Sequence, residues 1–290
     1  MRYLLLTLLL ISGTSAASAQ DLDDFVARLS HQDAEARARA ACSLARLRSE
    51  ARPAIPALAR LLSDGTDLPP DVCRDIRGNR GWWGNWNEGS SPGIEAARAL
   101  GEIGLSALES VHSAMRSESA TTRKNAVRAA GHIEHRSSID PIANLLGRDP
   151  DEDVRAQAAW ALGAIEHSDG IRPLTSALGD SAPYVRSQAA WALGAIEHRE
   201  AVPALARATR DRSPLVREQA AWALGAIESS DGVDALLPLL EDTDPRVRQQ
   251  SAWALGAIED ERAVDALLRA LDDSDVEVRR MAAWALGTML

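Results

Sequence analysis

Five tryptophans are the residues of this chain whose type and spacing best suit binding chemistry. They recur every 31 residues, each within the sequence Ala-Trp-Ala-Leu-Gly, and they are Trp160, Trp191, Trp222, Trp253 and Trp284. A regular row of indoles can stack on a sugar chain or hold an extended peptide. It can also pack successive copies of a repeated unit against one another. The sequence leaves both interpretations open.

Three further tryptophans lie outside this spacing. Trp82, Trp83 and Trp86 fall in residues 64–91, a stretch rich in Gly, Asp, Asn and Pro that interrupts the repeat. Insertions in repeat proteins form loops on one face, and exposed loops often carry function. We therefore expect either a cap over the N-terminal core or an aromatic platform for a carbohydrate or protein partner.

Arginine recurs at the same interval, at Arg155, Arg186, Arg217, Arg248 and Arg279. An aspartate precedes each arginine by six residues, and these are Asp149, Asp180, Asp211, Asp242 and Asp273. A guanidinium is a planar fork of donors that suits carboxylates and carbonyls. We predict a structural arginine ladder in which each side chain reaches a loop carboxylate or loop carbonyls and locks successive units.

The first 19 residues have the pattern of a secretory signal peptide. A basic start at Arg2 precedes an apolar run from Leu4 to Ile11, and a small, polar segment ends in Ala17-Ser18-Ala19. The apolar run is shorter than the ~20 residues of a membrane span. We expect cleavage after Ala19 and a periplasmic or secreted mature protein that does not span a membrane.

Export would decide the chemistry of the two cysteines, Cys42 and Cys73. Thiols of exported proteins pair in an oxidising compartment, so we expect a structural disulfide between them. Two unpaired buried thiols remain the alternative, because sequence separation alone does not bring two Cβ atoms together.

Metal and catalytic chemistry find little support. The pairs Glu134-His135, Glu166-His167 and Glu197-His198 recur, but adjacent side chains at a helix end diverge, and packed helices stand ~10 Å apart. The sequence contains no Gly-rich phosphate loop, Ser/His/Asp arrangement or paired catalytic carboxylates of the kind an active site needs. We predict no metal, no cofactor and no catalytic residues.

The charge balance restricts the partners. The formal net charge is −10, and no basic run or basic face stands out. Nucleic acid and anionic membrane surfaces attract the opposite charge, so we exclude both as partners. A protein partner is expected, with a glycan as the alternative.

Helices must position these side chains. Pro183 starts a helix on which apolar residues recur at steps of three and four up to Ile196, and we name this second helix of each unit helix B. A shorter apolar stripe from Ile171 to Leu178 predicts a preceding helix A. About eight such pairs with a period of 31 predict an all-α, right-handed α-solenoid over residues 20–290.

The helical wheel assigns a position to the tryptophan. On helix B, Trp160 lies on a flank that does not face helix A, and Ala159 and Gly163 on the opposite flank leave room for a neighbouring helix. The indole is therefore expected over the Ala/Gly flank of the adjacent helix B.

The sequence Val-Arg-x-x-Ala-Ala-x-Ala-Leu-Gly-x-Ile resembles the short HEAT-like repeat first named from phycobilin lyases. It occurs at residues 154–165, 185–196 and 216–227, and the resemblance covers most of the chain and implies an architecture of stacked helical pairs. The unit is also similar to that of deoxyhypusine hydroxylase, in which His-Glu pairs early in helix B hold a di-iron centre. The matching positions here are Ala156-Gln157, Ser187-Gln188, Glu218-Gln219 and Gln249-Gln250. That metal centre is therefore not implied.

These observations predict an exported scaffold that binds a protein through the concave face of its B helices. One alternative is an enzyme of lyase or metal-oxidoreductase type built on the same repeats. Another is a glycan or cell-wall binder that uses Trp82, Trp83 and Trp86.

Overall fold

The computed structural model describes residues 19–77 and 89–289, and this part of the chain forms eight consecutive pairs of helices. The A helices are α1 (Ala19–Arg28), α3 (Ile55–Leu61), α6 (Leu108–Ala114), α8 (Ile139–Arg148), α10 (Ile171–Ala177), α12 (Val202–Ala208), α14 (Val233–Leu236) and α16 (Val264–Ala270). The B helices are α2 (Ala34–Leu47), α5 (Pro92–Ile103), α7 (Ala120–Ile133), α9 (Glu152–Ala164), α11 (Pro183–Ala195), α13 (Pro214–Ile227), α15 (Pro245–Ile258) and α17 (Val276–Met289). The prediction of an all-α solenoid is confirmed.

Local sequence fixes where the B helices begin. A proline occupies the first turn of α11, α13 and α15, where its missing N–H costs no hydrogen bond. In α9 the Asp151 carboxylate accepts hydrogen bonds from the N–H groups of Asp153 and Val154, and such a cap is worth about 1 kcal/mol. Alanine and leucine, both strong helix formers, fill the interiors.

The core is a continuous spine between the two helix layers. Leu162, Leu193, Leu224 and Leu255 of the B helices are fully or almost fully buried, as are Leu174, Leu205, Leu236 and Leu267 of the A helices. Because each pair buries its apolar face partly against the next pair, stability is shared between neighbours along the array.

The two layers pack differently. Consecutive B helices contact one another along their length, whereas consecutive A helices contact one another much less. The layer with the closer spacing lies on the inner side of a curved array, so the B helices form the concave layer.

The segment between α3 and α5 departs from the repeat. It contains a short helix, α4 (Arg74–Arg77), and a backbone bridge in which the N–H of Leu68 donates to the carbonyl of Ser90 at 2.7 Å and the N–H of Ser90 donates back at 3.2 Å. Trp82, Trp83 and Trp86 lie outside the described residues, so the predicted cap or platform stays a prediction, as does the signal peptide of residues 1–19. Within residues 19–77 and 89–289, none of the helices combines the length and hydropathy needed to cross a bilayer.

Candidate functional site

The candidate site is the solvent-facing stripe of the B helices, which we call the B face. On each helix the stripe follows steps of four and three residues, so its members share one side. On α11 it contains Tyr184, Gln188, Trp191 and Ala195, all wholly or partly exposed, and His198 continues it in the turn after the helix. The equivalent residues of the other B helices extend the stripe across the concave layer.

The indoles of the B face pack across the boundary between pairs. A β-carbon placed on Gly194 would lie 2.7 Å from Cζ3 of Trp222 and 2.7 Å from Cα of Ala223. The same relation places Trp160 over Gly131, Trp191 over Gly163, Trp253 over Gly225 and Trp284 over Gly256. Each glycine therefore leaves the space that the indole of the next B helix occupies. The helical wheel predicted this contact with the Ala/Gly flank of the adjacent helix B.

Packing does not bury the indoles completely. Trp160, Trp191, Trp222 and Trp253 are partly exposed, and 45% of Trp284 is exposed. The rings of Trp191 and Trp222 stack with an interplanar angle of 13° and centroids 6.3 Å apart. These indoles serve the packing of the repeats and also present part of their surface on the concave layer, so the two interpretations drawn from the sequence are compatible.

The tryptophan position changes in the first three B helices. Aligning the buried Leu44 and Leu100, and Gly131 of α7, with the later repeats places Cys42 of α2, Arg98 of α5 and Arg128 of α7 where the later helices carry tryptophan. Arg98 donates from Nη1 to Oε1 of Glu95 at 3.0 Å, and this carboxylate also accepts a 2.6 Å hydrogen bond from the Ser90 hydroxyl. Sequence reasoning missed that the row of tryptophans does not extend to the first three B helices, although an alignment of the repeats was the signal for it.

The two cysteines lie together at that end. The Sγ atoms of Cys42 and Cys73 are at bonding distance and their Cα atoms are 6.3 Å apart, with both side chains buried. Oε2 of Glu95 lies 3.2 Å from Sγ of Cys42. Among the described residues, Cys42, Cys73 and Glu95 form the one group of possible metal ligands whose donor atoms lie within 4.8 Å of one another.

The arginine ladder joins neighbouring pairs, but not through the aspartate that precedes each arginine by six residues. Arg155 donates from Nε and Nη2 to the carboxylate of Asp180, in the following pair, at 2.8 and 3.0 Å. Its Nη1 donates to the carbonyl of Asp149 at 2.9 Å. The preceding loop thus supplies carbonyls and the following loop supplies the carboxylate, so Arg155 makes both of the contacts that the sequence suggested.

The same pattern repeats along the array. Arg186 pairs with Asp211, Arg217 with Asp242 and Arg248 with Asp273, at distances of 2.7 to 2.8 Å. Two further rungs, Arg37–Asp64 and Arg123–Asp149, extend the ladder toward the N-terminus. Arg279 keeps the carbonyl contacts, to Asp273 and Ser274.

The ladder aspartates are held in the charged form. Burial raises the pKa of Asp180, but the hydrogen bonds from Arg155 and from the N–H of Ala182, with the charge of Arg155, outweigh burial and lower that pKa below its ordinary value of 3.8. The same causes lower the pKa values of Asp149, Asp211 and Asp242. At Asp273 the hydrogen bond from Arg248 is the largest cause of the lowered pKa.

The Glu-His pairs have structural roles. Glu166, Glu197 and Glu134 adopt left-handed backbone conformations, with φ between 51° and 54°, where each helix B ends. The ring Nδ1 of His167 accepts a hydrogen bond from the N–H of Asp169 at 3.2 Å and so caps the 3₁₀ turn Ser168–Gly170. His135 and His198 cap the following turns in the same way, and Asp260 does so in a later pair.

The architecture defines a class of protein, an α-solenoid of short helical repeats with a concave layer of B helices. The family model described as HEAT repeats matches residues 93–163, 139–213, 171–242 and 205–287. The chain belongs to the HEAT-repeat family. No curated protein matches the chain in sequence at a significant level.

Solved structures show similar arrays. The chain is 24% identical to an engineered protein, covering 92% of this chain and 88% of that one with a TM-score of 0.48. It is 23% identical to human deoxyhypusine hydroxylase in complex with glycerol, covering 93% and 96% with a TM-score of 0.39. A second engineered protein is 21% identical, covering 93% and 96% with a TM-score of 0.41.

Proposed function

We propose that this chain is an exported HEAT-repeat scaffold that binds a protein partner through the B face. The observation that carries the proposal is a second periodic column on that face, beside the indoles. Gln188, Gln219 and Gln250, all partly exposed, repeat at the interval of the tryptophans, and their amides make no hydrogen bond with the described residues. An amide offers both donors and an acceptor, so this column suits the backbone of a bound segment.

The combination of indoles and amides supports a binding role. Interfaces are enriched in large aromatic residues surrounded by polar groups. On the B face, partly exposed indoles supply apolar area and the glutamines supply polar contacts along a single row. A curved array presents such a row to an elongated partner.

Export is part of the proposal because it accounts for residues that the repeat does not explain. The leader pattern of residues 1–19 would direct the chain out of the cytoplasm, where Cys42 and Cys73 would form a structural disulfide. We also infer that the repeats are of the phycobilin-lyase type, from the Val-Arg-x-x-Ala-Ala-x-Ala-Leu-Gly-x-Ile sequence.

Affinity capture from the extracytoplasmic fraction tests the binding role. The bait is the mature chain, compared with a triple variant Gln188→Ala, Gln219→Ala, Gln250→Ala. The matched control replaces exposed arginines of the A helices, Arg172, Arg207 and Arg269, by alanine. We expect wild type and control to retain the same protein and the glutamine variant to lose most of it. Equal retention by all three, or no retained protein, would remove the B face from the function.

Export has its own test. The mass and N-terminal sequence of the protein recovered from the extracytoplasmic fraction should begin at Gln20. Recovery of the full-length chain from the cytoplasm alone would contradict this part of the proposal.

A further inference from the structure

The fifth and sixth B helices, α11 and α13, differ from their neighbours at the start of the B face. The first position of the stripe carries a charged residue in three pairs, namely Asp153, Arg246 and Glu277. In α11 and α13 the same position holds Tyr184 and Leu215, which are 45% and 37% exposed. Two large apolar side chains therefore stand exposed on adjacent helices, and such patches mark binding surfaces.

The indoles on these two helices are also distinctive. Tyr184 precedes Trp191 by seven residues and Leu215 precedes Trp222 by seven, so each apolar side chain lies two helical turns from its indole on one side. Trp191 and Trp222 are the stacked pair, with centroids 6.3 Å apart. Gln188 and Gln219, both partly exposed, lie between the apolar residue and the indole on their helices.

One charged side chain lies at the edge of this patch, on the side of α13 that faces α15, because it precedes Gly225 by seven residues and Gly225 packs against Trp253 and Ala254. Glu218 occupies the position held by Ala156, Ser187 and Gln249 in other pairs. It is partly buried, one turn from both Leu215 and Trp222. Desolvation is the largest cause that raises its pKa, Arg246 lowers it and Asp244 raises it, and no hydrogen bond contributes. A desolvated carboxylate without a hydrogen bond gains most from a cation that arrives with a ligand.

We propose that α11 and α13 form a subsite for an extended peptide that carries an arginine. Glu218 pairs with the guanidinium, and the indole of Trp222, one turn along α13, contacts its planar face and its aliphatic stem. The amides of Gln188 and Gln219 pair with the N–H and C=O groups of the peptide backbone. Tyr184 and Leu215 receive apolar side chains that flank the arginine.

The geometry favours a peptide over the other ligands of an aromatic surface. The two glutamines stand on neighbouring helices, so a segment that reaches both must cross the array, and an extended chain leaves its backbone groups free to pair with them. A neutral glycan offers no cation to Glu218. The net charge of −10 favours approach of a basic segment over that of an acidic one.

This inference rests on the proposed function, since it names the chemistry of the partner at the same face, and synthetic peptides test it directly. The first probe is the acetylated and amidated peptide Gly-Pro-Leu-Arg-Leu-Pro-Gly. The second carries citrulline, a neutral isostere, in place of arginine. Titration of the purified mature chain, followed by calorimetry and by tryptophan fluorescence, should give about tenfold weaker binding of the citrulline peptide.

Variants locate the site. Glu218→Gln should weaken binding of the arginine peptide about tenfold and leave the affinity for the citrulline peptide unchanged. The matched control Glu277→Gln removes an acid from the same face of α17 and should change neither affinity. Because Glu218 makes no hydrogen bond, its replacement should not lower the denaturation midpoint, which is measured for both variants.

Several results would overturn the subsite. They are equal affinity for the two peptides, equal effects of the two variants, or no binding of either peptide at millimolar concentration. Binding of a neutral β-linked hexasaccharide that Glu218→Gln leaves intact would assign the patch to a glycan instead. If capture of a partner depends on the glutamines but the peptides show no arginine preference, this inference fails and the proposed function stands. If no partner is captured but the arginine peptide binds, the proposed function fails and the arginine subsite stands.

Discussion

Arg186 joins two helix pairs by holding the carboxylate of Asp211 through Nε and Nη2, each at 2.8 Å. The two side chains are only 6% and 14% exposed, and Nη1 of Arg186 also donates to the carbonyl of Asp180 at 2.9 Å. One guanidinium therefore bonds to the loop before its helix and to the loop after it. The ladder sets the register of successive pairs.

Asp211→Asn should destabilise the protein by about 2 kcal/mol, because it leaves the buried Arg186 guanidinium without its counter-charge. Urea denaturation followed by circular dichroism measures this change. The matched control is Asp231→Asn, which removes the exposed partner of Arg199 and should have little effect, as is usual for surface ion pairs. Equal effects of the two variants would contradict a structural ladder.

Gly194→Ala should destabilise the protein by about 1–3 kcal/mol, because the new methyl group would overlap Trp222 and the backbone of Ala223. Gly287 occupies the same position of the repeat in α17, and a β-carbon there meets no atom within 4 Å. Gly287→Ala should therefore stabilise α17 by about 0.5–1 kcal/mol, the ordinary gain of alanine over glycine in a helix. Thermal denaturation of the two variants should give shifts of opposite sign.

Glu228→Gly should stabilise the protein by about 1 kcal/mol, because Glu228 has φ of 52° where its helix ends and glycine adopts this conformation at no steric cost. Glu228→Ala is the matched control, since it removes the same charge but keeps the β-carbon. The difference between the two denaturation midpoints isolates the backbone contribution. A glycine variant no more stable than the alanine variant would disprove the strain.

Acid should destabilise the helix pairs around His132 at pH values well above those at which aspartates titrate. Burial is the main cause that lowers the pKa of His132 from 6.5 to about 3, with smaller contributions from Arg128 and Arg98. The unfolded chain therefore binds a proton below pH 6.5 that the folded chain does not bind until about pH 3. The contribution of neutral His132 to the free energy of unfolding is fully present above pH 6.5. The free energy of unfolding should fall by roughly 3 kcal/mol between pH 6.5 and pH 4.

Urea midpoints at several pH values between 7 and 4 measure this loss. His132→Gln should flatten the dependence in that range. The ladder aspartates act lower: their pKa values lie below 3.8 in the folded protein, so their contribution is present above that pH and is lost as the pH falls through the lowered values.

The double variant Cys42→Ala, Cys73→Ala should be about 3 kcal/mol less stable than the wild type, because a disulfide across 31 residues restricts the unfolded chain. Thiol titration of the denatured wild type should find no free thiol. A reducing agent should lower the midpoint of the wild type and leave the double variant unchanged. Two free thiols in the denatured wild type would support the alternative, in which Cys42 and Cys73 are two unpaired, buried thiols.

The sequence was sufficient to predict the helices and their stacking. Apolar residues at steps of three and four define both helices of a pair, and the interval of the tryptophans defines the pair as a repeated unit. The packing position of each indole was also predictable, because Ala159 and Gly163 are small enough for a neighbouring helix to approach closely. These features depend on contacts within one unit or between identical adjacent units, so a local pattern encodes them.

Only the tertiary structure decided which groups meet between units. Arg155 and Arg186 each follow an aspartate by six residues, yet each pairs with the carboxylate of the aspartate 25 residues further on, because stacking brings the following loop against the guanidinium. The stacking of Trp191 on Trp222 and the lack of a hydrogen bond at Glu218 likewise depend on how neighbouring helices are placed. Such pairings follow from the relative position of whole helix pairs, which no local pattern specifies.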